Sequence, residues 1–524
     1  MNPLDSLLTI LFTPWGPVLV LAAGVALLFP VNVRRLPRVV QATTIFVTGL
    51  AWLWIVLLRL SPAPIRHVGA TQPVLDVSMY AVLEVNQTTW PFAVLVATVG
   101  LGGALLLPRR PPVGRVSGPS AGLLLLTGAL VMVIAGNLPA LLLGWVLMDT
   151  AYLALLLDAR PRAMERTVGL TLGGFLLLWA VLVGTAPTEV ATPWEHAVFP
   201  AWALVLMGLS VWLRLGAYPL HRQHAVQVPG LPLPWLWLDA VVGGSWLLRW
   251  ALLAGASAVW RHDVWWILGV FAFFGSALAA WISRAPGTRL VWIVIQRTGF
   301  LVLLPLLGVA AFPNAVVAMV AAVVLGGNAL FLLRTRATTI SSRVAWLLAA
   351  AVLWGLPWTL GAPVRAVIAF AWEQSTLLGV TMLLGDALVA ASLLLVNGDP
   401  EPEGWLHKAR VAIFLVPALI LGGVMANRLT LSWATWAWTT VIPLALGLFF
   451  AWQYERIFVD VREWAWGLRI LAYLEPVEAL ARNTLQWALL ALGGLVALLE
   501  GAGWLGWLLL AGTLTLIWRY LPGG

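Results

Sequence analysis

Apolar runs recur along the whole chain, each near the ~20 residues that cross a bilayer, with short polar or proline-rich joints between them. The pattern predicts membrane helices near residues 5–29, 39–59, 91–107, 119–135, 138–157, 167–185, 198–217, 233–255, 264–283, 290–310, 313–333, 344–373, 375–397, 410–425, 433–452, 480–499 and 503–520, about 17 crossings. The runs are continuous rather than alternating, which excludes a β-barrel. One stretch does alternate: "LDVSMYAVLEVNQTT", within residues 60–90, reads as a short external hairpin. Residues 453–475 mix charges with Trp, Ile and Leu and read as an amphipathic helix on the inner membrane surface.

Two of the runs are interrupted. The seventh passes into "WLRLGAYPLHRQH" (Trp212 to His224), and the twelfth contains "WGLPWTLGAPVRAVIAF" (Trp354 to Phe370). Each interruption sets Gly and Pro beside an arginine, Arg214 or Arg365. The two stand five helices apart, an odd offset that makes them opposite in orientation. Two proline kinks would be the plainer account. Paired broken helices beside basic residues point instead to an inverted-repeat core.

Composition agrees with an all-α polytopic membrane protein: 524 residues, 61% hydrophobic and 10% charged. There is no cysteine, which excludes disulfides, thiolate zinc sites and cysteine-ligated iron–sulfur clusters. The histidines, at 67, 196, 221, 224, 262 and 407, form no evident haem pair. No glycine loop suited to phosphate or nucleotide is present. The reading is therefore a chain with no cofactor and no catalytic chemistry of its own, with any redox step in a partner. The net charge of +9 reports topology rather than nucleic-acid binding. The alternate joints 30–38, 108–118, 158–166, 218–232, 284–289 and 334–343 hold fifteen Arg, and the intervening joints up to there hold three, Arg59, Arg66 and Arg261. By the positive-inside rule the N-terminus lies outside and, after an odd number of crossings, the C-terminus inside a bacterial or archaeal cytoplasmic membrane. The N-terminal stretch lacks a basic start and a cleavage site and does not read as a removed signal peptide.

Ionisable residues inside these runs are the candidate chemistry, because a charge at bilayer depth costs roughly 2.5–3.5 kcal/mol on insertion scales. Asp149 stands in "GNLPALLLGWVLMDTAYLALLLDAR" (Gly136 to Arg160). Asp239, Arg249, Arg297, Glu373 and Asp386 join it. Each is either part of a charge path or half of an ion pair that pins helices. Arg297 is expected to snorkel toward the inner surface. His221 and His224, just past a helix end, are placed to pass protons at the cytoplasmic mouth.

These stretches together resemble one family, the antiporter-like subunits of respiratory complex I, shared with Mrp sodium/proton antiporters and membrane-bound hydrogenases. "NLPALLLGWVLM" looks like the family's fifth-helix signature, in which Trp is followed by Glu-Leu-Met. "RLGAYPLH" resembles its broken seventh helix, Lys-Leu-Gly-x-x-Pro-Leu-His, and places His221 on the motif's His. "TRLVWIVIQRTGFLVLLPLLG" (Thr288 to Gly308) resembles the tenth-helix stretch, and "GLPWTLGAPVR" the twelfth-helix motif. The motifs fall in order over roughly residues 80–400. The resemblance implies a core of two inverted five-helix repeats and a proton path along the midplane through a Glu and several Lys. It divides the chain into N-terminal helices with the external hairpin (1–118), a first repeat unit (119–257), a second (258–397) and C-terminal helices (398–524).

The chain departs from that pattern at the residues that matter most. Val146 occupies the Glu position, with Asp149 three residues on and facing nearly the same side. Arg214 and Arg365 stand where the seventh- and twelfth-helix motifs have Lys or Glu, and Asn328 where the eleventh helix usually has Lys. The single Lys, Lys408, lies in a joint. A preference for Arg codons accounts for surface arginines but not for the missing Glu. Arginine stays protonated, so it can hold a charge but not relay one. The expectation is a static Asp149–Arg214 pair, with Arg365 biasing Glu373 toward its ionised form, inside a subunit of a larger energy-coupling complex. The partners expected are other membrane subunits, lipid and a soluble catalytic module, redox or zinc-dependent. An inorganic-carbon uptake complex, with a carbonic-anhydrase-like zinc protein, and a non-conducting structural subunit are the alternatives.

Overall fold

The computed structural model describes residues 13–28, 36–59, 65–68, 81–107, 118–156, 161–185, 192–218, 233–255, 263–333, 339–396, 405–426, 431–454 and 456. By internal contacts the chain separates into two units, Met1–Phe458 and Val459–Gly524, and all the described residues lie in the first. The expected inner-surface helix beyond 456, the last two spans, His221 and His224 therefore lie outside the described residues.

The chain is a multi-pass membrane protein built of helices. In order they are α1 (Trp15–Leu28), α2 (Pro37–Leu58), α3 (Trp90–Leu105), α4 (Gly118–Ile134), α5 (Leu138–Leu156), α6 (Pro161–Gly184) and α7 (Ala201–Leu215). A 3₁₀ turn at Leu233–Trp237 leads into α8 (Leu238–Ala254), followed by α9 (Asp263–Ile282), α10 (Pro286–Leu301) and α11 (Gly308–Ala321). A π-helical turn, Ala322–Gly326, carries α11 into α12 (Gly327–Leu332). Then come α13 (Ile340–Trp354), α14 (Pro363–Gln374), α15 (Thr376–Leu394), α16 (Trp405–Ala426) and α17 (Trp433–Trp452). Among the described residues four continuous helices are long and apolar enough to span a membrane alone: Pro37–Leu58, Phe312–Leu332, Thr376–Leu394 and Trp433–Trp452. Within the stretch expected to form a hairpin only β2 (Val82–Val85) is a strand among the described residues; it pairs antiparallel with β1 (Ile65–Val68), which precedes that stretch, with Ile65 opposite Val85.

Burial separates core helices from peripheral ones. α4 is apolar on every face and almost wholly buried, as a helix without a polar side must be. It packs most extensively on α5, while α8 touches both α4 and α11 and so joins the earlier helices to the later ones. α17 instead buries only Thr439, Pro443 and Gly447, a stripe with i, i+4, i+8 spacing laid on α15. Trp438 and Phe450 are partly buried beside that stripe, while Val441, Leu448 and Trp452 are exposed to whatever surrounds the protein.

Both interruptions legible in the sequence are helix ends. α7 stops at Leu215 because Gly216 takes the left-handed conformation, φ 63°. α13 stops at Trp354 because Gly355 does the same, φ 91°, and the chain resumes as a helix at Pro363. Between them Trp358 also adopts a positive φ, 60°, which a bulky residue rarely does.

The α4–α5 contact rests on two small residues. A Cβ on Gly128 would lie 2.6 Å from the Met148 amide nitrogen, and one on Gly144 would lie 2.6 Å from that of Met132. The backbones therefore touch, which brings α5 close to the core. Gly144→Leu must push them apart, at an expected cost of about 1–3 kcal/mol. The check is the thermal midpoint in detergent, read by tryptophan fluorescence. Gly287→Ala, whose new methyl meets nothing within 4 Å, should leave the midpoint unchanged.

Candidate functional site

Two buried clusters gather most of the ionisable residues singled out in the sequence. The first lies where α7 ends. Trp145, Met148, Asp149 and Tyr152 occupy positions i, i+3, i+4 and i+7 of α5, which places them along one face. Arg214, one residue before the end of α7 and 0% exposed, meets that face. Its Nη1 donates to Asp149 Oδ1 at 2.9 Å, and its Nη2 lies against the Met148 sulfur. The Trp145 ring sits 4.8 Å from the guanidinium carbon, a cation–π contact. From α8, Asp239 Oδ1 comes to 3.3 Å of Arg214 Nε, within ion-pair distance but not aligned as a hydrogen bond. Tyr152 Oη donates to the other Asp239 oxygen at 2.9 Å. One guanidinium is thus shared by two carboxylates from two other helices.

Val146 and Asp149 do not face the same way. Val146 is 44% exposed on the outside of α5. The Asp149 side chain is only 15% exposed and faces Arg214. Three residues of helix amount to a turn of about 300°, so the carboxylate is rotated by about 60° from the Val146 direction. That rotation carries it from the outer surface to the arginine.

The second cluster lies where α13 ends. Arg365, in the first turn of α14, donates through Nη1 to Asp386 Oδ2 at 2.7 Å. Arg297, from α10, donates through Nη2 to the other Asp386 oxygen at 2.9 Å. Arg365, Arg297 and Asp386 are all 0% exposed. Both arginines also donate to backbone carbonyls: Leu353 and Trp354 for Arg297, and Trp354, Gly355 and Thr439 for Arg365. These include the carbonyls that a helix end leaves without intrahelical partners. The Trp354 ring stacks 4.4 Å from the Arg365 guanidinium carbon.

Two expectations are corrected here. Arg297 does not snorkel; the carbonyls of Leu353 and Trp354 and the Asp386 carboxylate give it a fully buried set of acceptors. The carboxylate beside Arg365 is Asp386 and not Glu373, which is exposed near the end of α14. Arg249 belongs to neither cluster. It donates to the Met132 and Val133 carbonyls in the last turn of α4, where a cation complements the helix dipole. Lys408 is exposed and donates to Ser341 Oγ at 3.2 Å. Asn328 is fully buried, and its Nδ2 donates to the Val324 carbonyl inside the π-helical turn.

The sequence reading did not single out the aromatic partners Trp145, Tyr152 and Trp354. For the first two the signal was available, in their i−4 and i+3 spacing from Asp149. It also missed an ion cluster outside the helices. There Arg66 of β1 bonds Glu84 of β2 at 3.0 Å and Glu195 at 2.8 Å, tying the hairpin to the segment before α7.

No protein-family model matches the sequence, and no curated protein matches it. Solved structures do. A chain of the Mrp complex from Dietzia sp. matches with a TM-score of 0.65 at 19% identity over 93% of this chain. The protein spans 63% of that chain's length. A chain of an archaeal membrane-bound sulfane sulfur reductase matches with a TM-score of 0.63 at 16% identity, covering 79% of this chain and 78% of its own. A chain of respiratory complex I from Thermus thermophilus matches with a TM-score of 0.61 at 17% identity, covering 82% of this chain and 98% of its own. The protein shares its fold with these chains of membrane complexes.

The geometry of the first cluster sets a stability order. Arg214→Met removes the guanidinium that both carboxylates share and is expected to destabilise by about 3–5 kcal/mol. Asp149→Asn leaves Arg214 beside Asp239 and costs about 1–2 kcal/mol. Thermal unfolding in detergent tests the order. Equal midpoints for Arg214→Met and wild type would refute a structural role for the pair.

Proposed function

We propose that the chain is an antiporter-like membrane subunit of a multisubunit energy-coupling complex of the complex I, Mrp or membrane-bound reductase type, with its charge path altered from proton relay toward fixed charge. The fold supports the class of assembly. The observation that carries the alteration is the arginine at each helix break, Arg214 and Arg365, each fully buried and each paired with aspartate. A lysine desolvated at such a position can shed its proton and take another; a guanidinium cannot. The carboxylates Asp149 and Asp239 remain the groups able to exchange a proton in the first cluster, with Tyr152 as a hydrogen-bonded neighbour.

The two clusters also fit an inverted repeat. In chain order α5, α7 and α8 supply Asp149, Arg214 and Asp239, while α10, the α13–α14 break and α15 supply Arg297, Arg365 and Asp386. The broken element carries the arginine in both sets, and the helix after it carries an aspartate. Residues 119–257 and 258–397 are the units this repeat would relate. A non-conducting structural subunit is the second reading, and the dense arginine–carbonyl bonding of the second cluster favours it.

Purification of the tagged chain from its native membrane in a mild detergent tests the assembly. Stoichiometric membrane subunits and a soluble module should accompany it; a chain that purifies alone overturns the assignment. Conduction is tested separately in proteoliposomes with an internal pH-sensitive dye. The isolated wild-type chain should show little proton flux. Robust flux, abolished by Asp149→Asn or Arg214→Ala, would show instead that the divergent path conducts unaided.

A further inference from the structure

The cluster at the second break does not balance its charge. Arg297 and Arg365 share one carboxylate, Asp386, and among the described residues no other acidic group reaches them. Glu373 lies eight residues further along α14, about 12 Å at the helical rise, at an exposed end. Among the described residues Arg297 Nη1 has no hydrogen-bond partner. One positive charge is therefore left over, and all three side chains that share it are fully buried. Asp386 accepts a guanidinium bond on each of its oxygens, so its single charge is divided between the two arginines.

Backbone holds this charge in place. The carbonyls of Leu353, Trp354 and Gly355 are freed by the end of α13, at the negative pole of its dipole, and the Thr439 carbonyl arrives from α17. Carbonyls satisfy hydrogen bonds without contributing net charge. They make the cation tolerable where it stands without cancelling its long-range field.

We propose that Arg297, Arg365 and Asp386 form a fixed positive barrier that keeps protons and metal cations from crossing the second half of this subunit. The proposal rests on the reading of the chain as an ion-handling membrane subunit. A buried positive charge beside a narrow passage excludes cations by repulsion. At a separation of about 10 Å and an effective dielectric constant of about 20, one unit charge slows a passing cation roughly ten- to twenty-fold.

The rival role is a latch that merely holds the helix break together. Charge and packing can be separated within the cluster. Arg297→Gln removes the surplus charge and leaves the Arg365–Asp386 pair neutral. Asp386→Asn keeps both guanidiniums charged and removes the carboxylate that latches them together. The full-length variants would be reconstituted in proteoliposomes, and passive proton entry under an imposed potential read with an internal pH-sensitive dye. Arg297→Gln should leak ten- to twenty-fold faster than wild type. Asp386→Asn should leak no faster than wild type, even with a lower thermal midpoint. Arg365→Gln removes the same unit charge from the other side of Asp386 and should leak like Arg297→Gln, which keeps the test open if one variant fails to fold. A tight Arg297→Gln, equal leaks from Arg297→Gln and Asp386→Asn, or a freely leaking wild type would each overturn the barrier. Failure of the assembly reading shows up elsewhere, in purification of the chain without partners.

Discussion

A guanidinium that is buried and cannot lose its proton must be surrounded by acceptors, and much of the later core is arranged around that demand. Arg365 draws α13, α14, α15 and α17 together, because its acceptors come from the Trp354 and Gly355 carbonyls, Asp386 and the Thr439 carbonyl. Arg297 brings in α10. Breaking α13 at Gly355 frees carbonyls, and the arginines use them. The break and the charge are thus one device: without the break there would be too few acceptors, and without the guanidiniums the freed carbonyls would be buried unpaired.

The first cluster meets the same demand differently. Arg214 takes its acceptors from side chains, Asp149 and Asp239, and an aromatic face from Trp145. Its carboxylates are slightly exposed, at 15% and 10%, whereas Asp386 is sealed. Side-chain acceptors can gain or lose protons and carbonyls cannot, so the two ends of the core differ in what they can exchange. Tyr152 adds a hydroxyl that can follow a change in Asp239.

Helix positions were legible in the sequence because runs of apolar residues near bilayer length have few other uses. Both breaks were legible too, since Gly216 and Gly355 precede Pro219 and Pro363 beside an arginine. Pairing was legible only where the residue types forced it. Arg214 needed a carboxylate, and Asp149 offered one at the right depth. The partner of Arg365 was misjudged because Glu373 is close in sequence, whereas Asp386 is brought in by α15 through tertiary packing. The same packing explains Arg297. Nothing local in "WIVIQRTGF" tells that Leu353 and Trp354 will present their carbonyls to it. The inward rotation of Asp149 relative to Val146 was available from helix geometry, but its meaning required knowing which side of α5 is outer surface.

The setting of Arg214 also bears on how the chain can change over generations. A lysine placed there would offer a point charge with three donors, without the planar fork that reaches Asp149 and Asp239 together or the flat face that stacks on Trp145. Arg214→Lys would therefore leave Asp149 and Asp239 poorly held and the tryptophan without its partner. Removing Asp149 first would leave the guanidinium without its closest carboxylate. Every single replacement on the way from this pair to a lysine therefore passes through a less stable chain.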